Sequence, residues 1–125
     1  ESSGADAISL INTITGMAID IHKKRPILAN NFGGLSGPAI KPIALKMTYD
    51  VANTVKIPVI GMGGISSGND AIEFMLAGAK AVMVGTWNFS NPKACIDIIE
   101  GITDYLMMYN CTSVYDIIGK LVLNE

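Results

Sequence analysis

Short apolar, β-rich runs alternate along this chain with segments of helical period, starting from a strand expected over Ala5 to Ile11. That alternation predicts parallel βαβ units with both faces of the sheet covered. After the first strand come Met17 to Ile21 and Pro26 to Ala29, two short runs around a charged turn that read as a hairpin. The stretch from Asn31 to Pro38 is too rich in glycine for a regular element. It leads into a helix carrying Ile43, Met47, Val51 and Val55, with Pro42 in its first turn. Ile57 to Ile60 is the next strand. Its helix opens on the capping pattern Ser67 and Asp70, buries Ile72, Leu76 and Met75, and stops at Gly78. Lys80 to Val84 is the last strand. Asn91 and Pro92 then offer a cap and a first position for a helix presenting Cys95, Ile99, Ile102 and Leu106, and Ser113 with Asp116 caps a final one.

Two glycine-bearing turns close the second and third of these strands, Gly61-Met62-Gly63-Gly64-Ile65 and Val84-Gly85-Thr86. A phosphate needs several backbone N–H groups aimed at it by a chain that can approach closely, and glycine permits both. In a βα barrel a phosphate often sits in the loops after strands 7 and 8. The expected fold class is therefore α/β, the C-terminal part, about half, of a TIM (βα)8 barrel. A complete barrel takes about 250 residues and this chain has 125, so residues 1–125 read as one partial domain, with the first half of the fold lying upstream.

Composition narrows the classes further. Hydrophobic residues make up 50% and charged residues 16%, and the formal net charge is −2, which gives no electrostatic reason to expect nucleic acid. No apolar stretch reaches the roughly 18 residues of a membrane span, and a cytoplasmic setting fits. Cys95 and Cys111 have neither metal-ligand nor redox spacing and read as reduced, packed thiols. The basic cluster His22-Lys23-Lys24-Arg25 reads as a solvated turn, or as a contact for a partner subunit. Lys41 and Lys46, at a helix start and within it, read as solvated.

The segments Asp6 to Thr13 with Gly16-Met17, Arg25-Pro26 to Asn30, Gly33-Gly34-Leu35-Ser36-Gly37-Pro38-Ala39-Ile40-Lys41-Pro42, and the two glycine turns together resemble the C-terminal half of a dihydroorotate dehydrogenase. Asn-Thr at the strand end and Gly-Gly-Leu-Ser-Gly-Pro after the hairpin are similar to the class 1 branch that passes electrons to NAD. The resemblance implies FMN-dependent oxidation of dihydroorotate to orotate in pyrimidine biosynthesis. It implies that Gly63, Gly64, Gly85 and Thr86 carry the FMN phosphate and that Ile11 and Gly37 lie against the flavin. Asn12 and Thr13 match the pair that holds the pyrimidine, where an amide can read an imide edge. It further implies a homodimer, and a partner subunit carrying FAD and an iron–sulfur cluster. The catalytic base of that branch is a cysteine on a loop from the first half of the barrel, so no catalytic residue is expected in this chain.

Four alternatives stay open at the level of residues. The glycines could serve ordinary tight turns, and Asn12 and Thr13 could simply start a turn. A barrel resembling inosine monophosphate dehydrogenase would use a similar Gly-Gly-Ile turn and Val-Met-Val-Gly strand for a nucleotide phosphate. The chain by itself could also be an inert fragment, its sheet left with unpaired edges.

Overall fold

The computed structural model describes residues 1–124. Its first strand, β1 (Ile8–Leu10), is followed by four short strands, β2 (Ile14–Gly16), β3 (Ile19–Asp20), β4 (Arg25–Pro26) and β5 (Gly33–Leu35). Then come helix α1 (Lys41–Ala52), strand β6 (Val59–Met62), helix α2 (Gly68–Leu76), strand β7 (Ala81–Met83) and helices α3 (Trp87–Ser90) and α4 (Ala94–Met108). One-turn 3-10 segments lie at Pro38–Ile40 and Val114–Asp116.

Strands β1, β6 and β7 form one parallel sheet in that order, with Ile8 opposite Val59, Leu10 opposite Gly61, and Gly61 opposite Val82. Consecutive βα units side by side are the architecture of part of a (βα)8 barrel. The helices cover one face. Ala44 from α1, Ala71 and Phe74 from α2, Ile98 from α4, and Ile65 and Ala79 form the main buried cluster. Phe74 is fully buried, and it lies so close over β6 that a β-carbon on Gly61 would fall 2.5 Å from its ring. A second cluster joins Ile72 and Met75 to Ile117, so the segment after α4 folds back onto α2.

The hairpin expected after the first strand exists in a shortened form: β3 pairs antiparallel with β4, and Lys24 at its tip has a φ of +52°. Asp20 accepts from the N–H groups of His22 and Lys23, both at 3.0 Å. Those bonds, that of Lys23 first, hold its carboxyl below the ordinary range. The basic cluster is therefore an exposed turn.

The glycine-rich stretch does form a regular element. Gly33–Leu35 pairs antiparallel with Ile14–Gly16, because the absence of side chains lets the backbone of Gly34 lie against Thr13, whose hydroxyl a β-carbon there would overlap. In α1 the buried face carries Ala44 and Thr48, while Ile43 and Met47 are about half exposed. The small residues win that face because α1 packs close to β6, with a β-carbon on Gly63 falling 2.7 Å from that of Ala44. In α4 the fully buried positions are Ala94 and Ile98, and Ile99 is 62% exposed, so the first half of the expected stripe is displaced by one residue, while Ile102 and Leu106 pack against the core as expected. A short helix, α3, precedes α4, and the cap lies two residues later than expected. Lys93 is the N-cap residue, and Asn91 accepts from its N–H at 3.0 Å. Cys95 is consequently exposed and not packed, and Cys111 is half-buried; both thiols are free.

Helix α2 follows its sequence signals closely. The Ser67 hydroxyl accepts from the N–H of Asp70 at 3.2 Å, and Gly78, with a φ of +111°, ends the helix. Ser113 and Asp116 form a capping box, but on a 3-10 turn. No helix among the described residues is long and apolar enough to cross a membrane.

Candidate functional site

At the C-terminal ends of β1, β6 and β7 the loops surround a cavity of about 220 Å³. In βα folds this end is where backbone leaves the sheet with its peptide groups free, so it is where ligands bind. All eight residues singled out in the sequence line this one cavity: Ile11, Asn12, Thr13, Gly37, Gly63, Gly64, Gly85 and Thr86. Three strands deliver them. Ile11 to Thr13 follow β1, Gly63 and Gly64 follow β6, and Gly85 and Thr86 follow β7, while Gly37 comes from the loop before α1.

The two glycine turns have the hydrogen-bonding character of an anion cradle. Among the described residues, no backbone hydrogen bond in turns and loops is donated by the N–H of Gly63, Gly64, Ile65, Gly85 or Thr86. The carbonyls next to them are used: Ile11 N–H donates to Met62 at 2.9 Å, Asn88 N–H donates to Gly85 at 3.0 Å, and the Asn88 side-chain amide donates to Val84 at 2.6 Å. A turn that satisfies its acceptors and spares its donors is suited to an anion, because a buried N–H without a partner is costly. The Thr86 hydroxyl caps no helix and is free to donate as well. Among the described residues no charged side chain lines the cavity, so an anion there would be held by peptide dipoles and hydroxyls.

Glycine is required at three of these positions: Gly63 has a φ of +123°, and a β-carbon on it would meet Ala44 at 2.7 Å. Gly64 has a φ of +79°, and a β-carbon on it would fall 2.8 Å from the Gly37 carbonyl oxygen. Gly37 itself has a φ of +86°. Gly85 differs, since a β-carbon there would meet nothing within 4 Å. Its glycine is unneeded by the fold and leaves space open at the cavity. The residues present thus fit a phosphate-bearing group at this end of the site.

On the β1 side, Asn12 Oδ1 accepts from the Thr13 N–H at 2.7 Å. This is a local bond to the next residue, and the Asn12 NH2 group makes no side-chain hydrogen bond among the described residues. Both residues are exposed.

The sequence reading missed Trp87 and Ser36, which also line the cavity. Each adjoins a residue that was identified, Thr86 and Gly37, which was the available signal. It also missed the role of Lys41. Rather than being solvated, Lys41 donates to Asp70 Oδ1 at 2.6 Å and to Glu73 Oε1 at 3.0 Å. Asp70 is buried, and its carboxylate also accepts from the N–H and hydroxyl of Ser66 at 2.9 and 2.8 Å. Burial pushes the Asp70 carboxyl up, but Lys41, Ser66 and Ser67 together outweigh it and bring it to about 2. The hydrogen bond to Asp70 first, and that to Glu73, raise Lys41 against the opposing effect of burial. Lys46 pairs with exposed Asp50 at 2.7 Å and is solvated as expected.

The family model "Dihydroorotate dehydrogenase" matches residues 1–106. The chain is 65% identical over 120 residues to the dihydroorotate dehydrogenase B (NAD(+)) catalytic subunit of Alkaliphilus oremlandii, covering 96% of this chain and 40% of that protein. It is 61% identical over 121 residues to the protein so named in Thermoanaerobacter pseudethanolicus, covering 97% and 40%. To that of Porphyromonas gingivalis it is 58% identical over 125 residues, covering 100% and 41%. The chain therefore spans about 40% of the length of the curated relatives it matches.

Proposed function

This chain belongs to the dihydroorotate dehydrogenase family, and on that premise we propose that the whole protein oxidises dihydroorotate to orotate with FMN, in pyrimidine biosynthesis. The observation that carries the reading is the single cavity lined by all eight sequence-identified residues, with unengaged N–H groups on both glycine turns. The N–H groups of Gly63, Gly64, Gly85 and Thr86, with the Thr86 hydroxyl, hold the FMN phosphate. Ile11 and Gly37 contact the flavin, which supplies the hydride acceptor. Asn12 and Thr13 hold the pyrimidine, the amide NH2 donating to a ring carbonyl. The proton-abstracting base lies outside residues 1–125, on the barrel's first half.

The names of the relatives contain "NAD(+)" and "catalytic subunit". By likeness to them, the whole protein works beside an electron-transfer subunit carrying FAD and an iron–sulfur cluster. A homodimer and a cytoplasmic location complete the proposal. The reading as a nucleotide-phosphate barrel resembling inosine monophosphate dehydrogenase is not favoured, since the family match and these relatives are all dihydroorotate dehydrogenases.

The test is direct. The full-length protein is expected to purify yellow, to release FMN on denaturation, and to lose its flavin absorption under anaerobic dihydroorotate as orotate appears. A colourless protein, or flavin that dihydroorotate leaves oxidised, refutes the assignment.

A further inference from the structure

Two rim loops meet at the cavity, one running through Gly37 to Lys41 and the other through Gly63 to Ser67, and they are joined in two places. The first is direct backbone contact: a β-carbon on Gly64 would fall 2.8 Å from the Gly37 oxygen and 2.9 Å from the Lys41 nitrogen. The second is a clasp outside the cavity. One oxygen of Asp70 accepts from Lys41 Nζ at 2.6 Å, and the other accepts from both the N–H and the hydroxyl of Ser66 at 2.9 and 2.8 Å. Asp70 and Lys41 do not line the cavity, whereas Gly37, Gly63, Gly64 and Ile65 do. We propose that Asp70 is a positioning residue that, through Lys41 and Ser66, fixes the spacing of these two loops and so sets the preference of the site for a phosphorylated flavin over its dephosphorylated form.

The physical basis is the steepness of hydrogen bonding with distance and angle. N–H groups on a glycine turn are mobile unless something outside the turn restrains them, and glycine gives no restraint of its own. Asp70 supplies one from the first turn of α2, an element held by the buried side chains of Ala71, Ile72 and Phe74. Lys41 is the matching anchor on α1, and Glu73 at 3.0 Å keeps its ammonium on the helix side. The ammonium is thereby engaged by two carboxylates rather than offered to a ligand, so phosphate selectivity falls to the amides that the clasp holds in place.

This inference rests on the FMN reading above, and the experiment separates the two. Full-length protein freed of flavin is titrated with FMN and with riboflavin in parallel, by quenching of flavin fluorescence. The unmodified protein should prefer FMN; equal affinities would remove the FMN-phosphate reading itself. Given that preference, Asp70→Asn should weaken FMN about tenfold, the size of one weakened charge-assisted hydrogen bond, and leave riboflavin within about twofold. Ser66→Ala removes a single bond of the clasp, keeps the fold, and should move the ratio the same way by a smaller factor. Lys41→Arg, which keeps a cation, should retain more of the preference than Lys41→Gln. If Asp70→Asn or Ser66→Ala weakens both flavins equally, the role is general stability and the proposal fails. If Asp70→Asn strengthens FMN, the freed Lys41 is itself a phosphate ligand, and the proposal fails in the opposite direction.

Discussion

Gly68 and Gly101 face each other where α2 crosses α4, so closely that a β-carbon on Gly68 would fall 2.7 Å from the Gly101 Cα and 2.8 Å from its carbonyl carbon. Helices come this near only where both lack side chains, and the close crossing lets Ile98 join Phe74 and Ala71 in the core. In an isolated helix, glycine to alanine gains up to about 1 kcal/mol. Here Gly68→Ala should instead cost about 1–3 kcal/mol through overpacking, read as a lower urea midpoint of the full-length protein. Unchanged or raised stability would show that the helices can separate freely.

The glycines of the cradle should divide by mechanism. Gly64→Ala meets both a left-handed backbone and the Gly37 oxygen, so it should lower stability and FMN binding together. Gly85→Ala has ordinary backbone dihedrals and open space. It should keep the melting temperature within about 2 °C while weakening FMN about tenfold. A Gly85→Ala protein with full FMN affinity would place the phosphate elsewhere.

Asp70 fixes the acid response of this region. Its folded-state value of about 2 lies below the ordinary 3.8. The contribution is therefore complete above about pH 4 and is lost as pH falls towards 2. Its side chain is 12% exposed, and the displacement corresponds to about 2 kcal/mol. Asp70→Asn should accordingly be less stable than the unmodified protein at pH 6, with the difference closing by pH 2. A difference independent of pH would assign the loss to packing.

Thr48 is fully buried, and its hydroxyl has no hydrogen-bond partner among the described residues. Replacing it with valine exchanges an unsatisfied polar group for a methyl of similar size. Thr48→Val should stabilise by about 1 kcal/mol, seen as a higher urea midpoint. A clear loss would mean that the hydroxyl is bonded in solution.

The 125-residue chain alone should bind FMN weakly or not at all. Strands β1 and β7 each pair on one side only, and Met83 on β7 is 50% exposed, so the isolated sheet offers free edges and an uncovered face. Gel filtration of this chain with FMN is expected to separate the two. Stoichiometric flavin in the protein peak would refute this.

The sequence by itself determined the βα alternation, the cap of α2 at Ser67, the stop at Gly78, and eight of the residues around the cavity. These are local matters: hydrophobic period, capping chemistry and glycine at required turns act over a few residues and leave a direct mark. Tertiary structure decided which face each helix buries and what the charges do. Ala44 rather than Ile43 is buried because α1 comes close to β6, and Gly33–Leu35 becomes a strand because Ile14–Gly16 lies beside it. Lys41 finds Asp70 across 29 positions of chain. No pattern along the sequence records such a meeting, because the pair exists only once the sheet has brought α1 and α2 side by side.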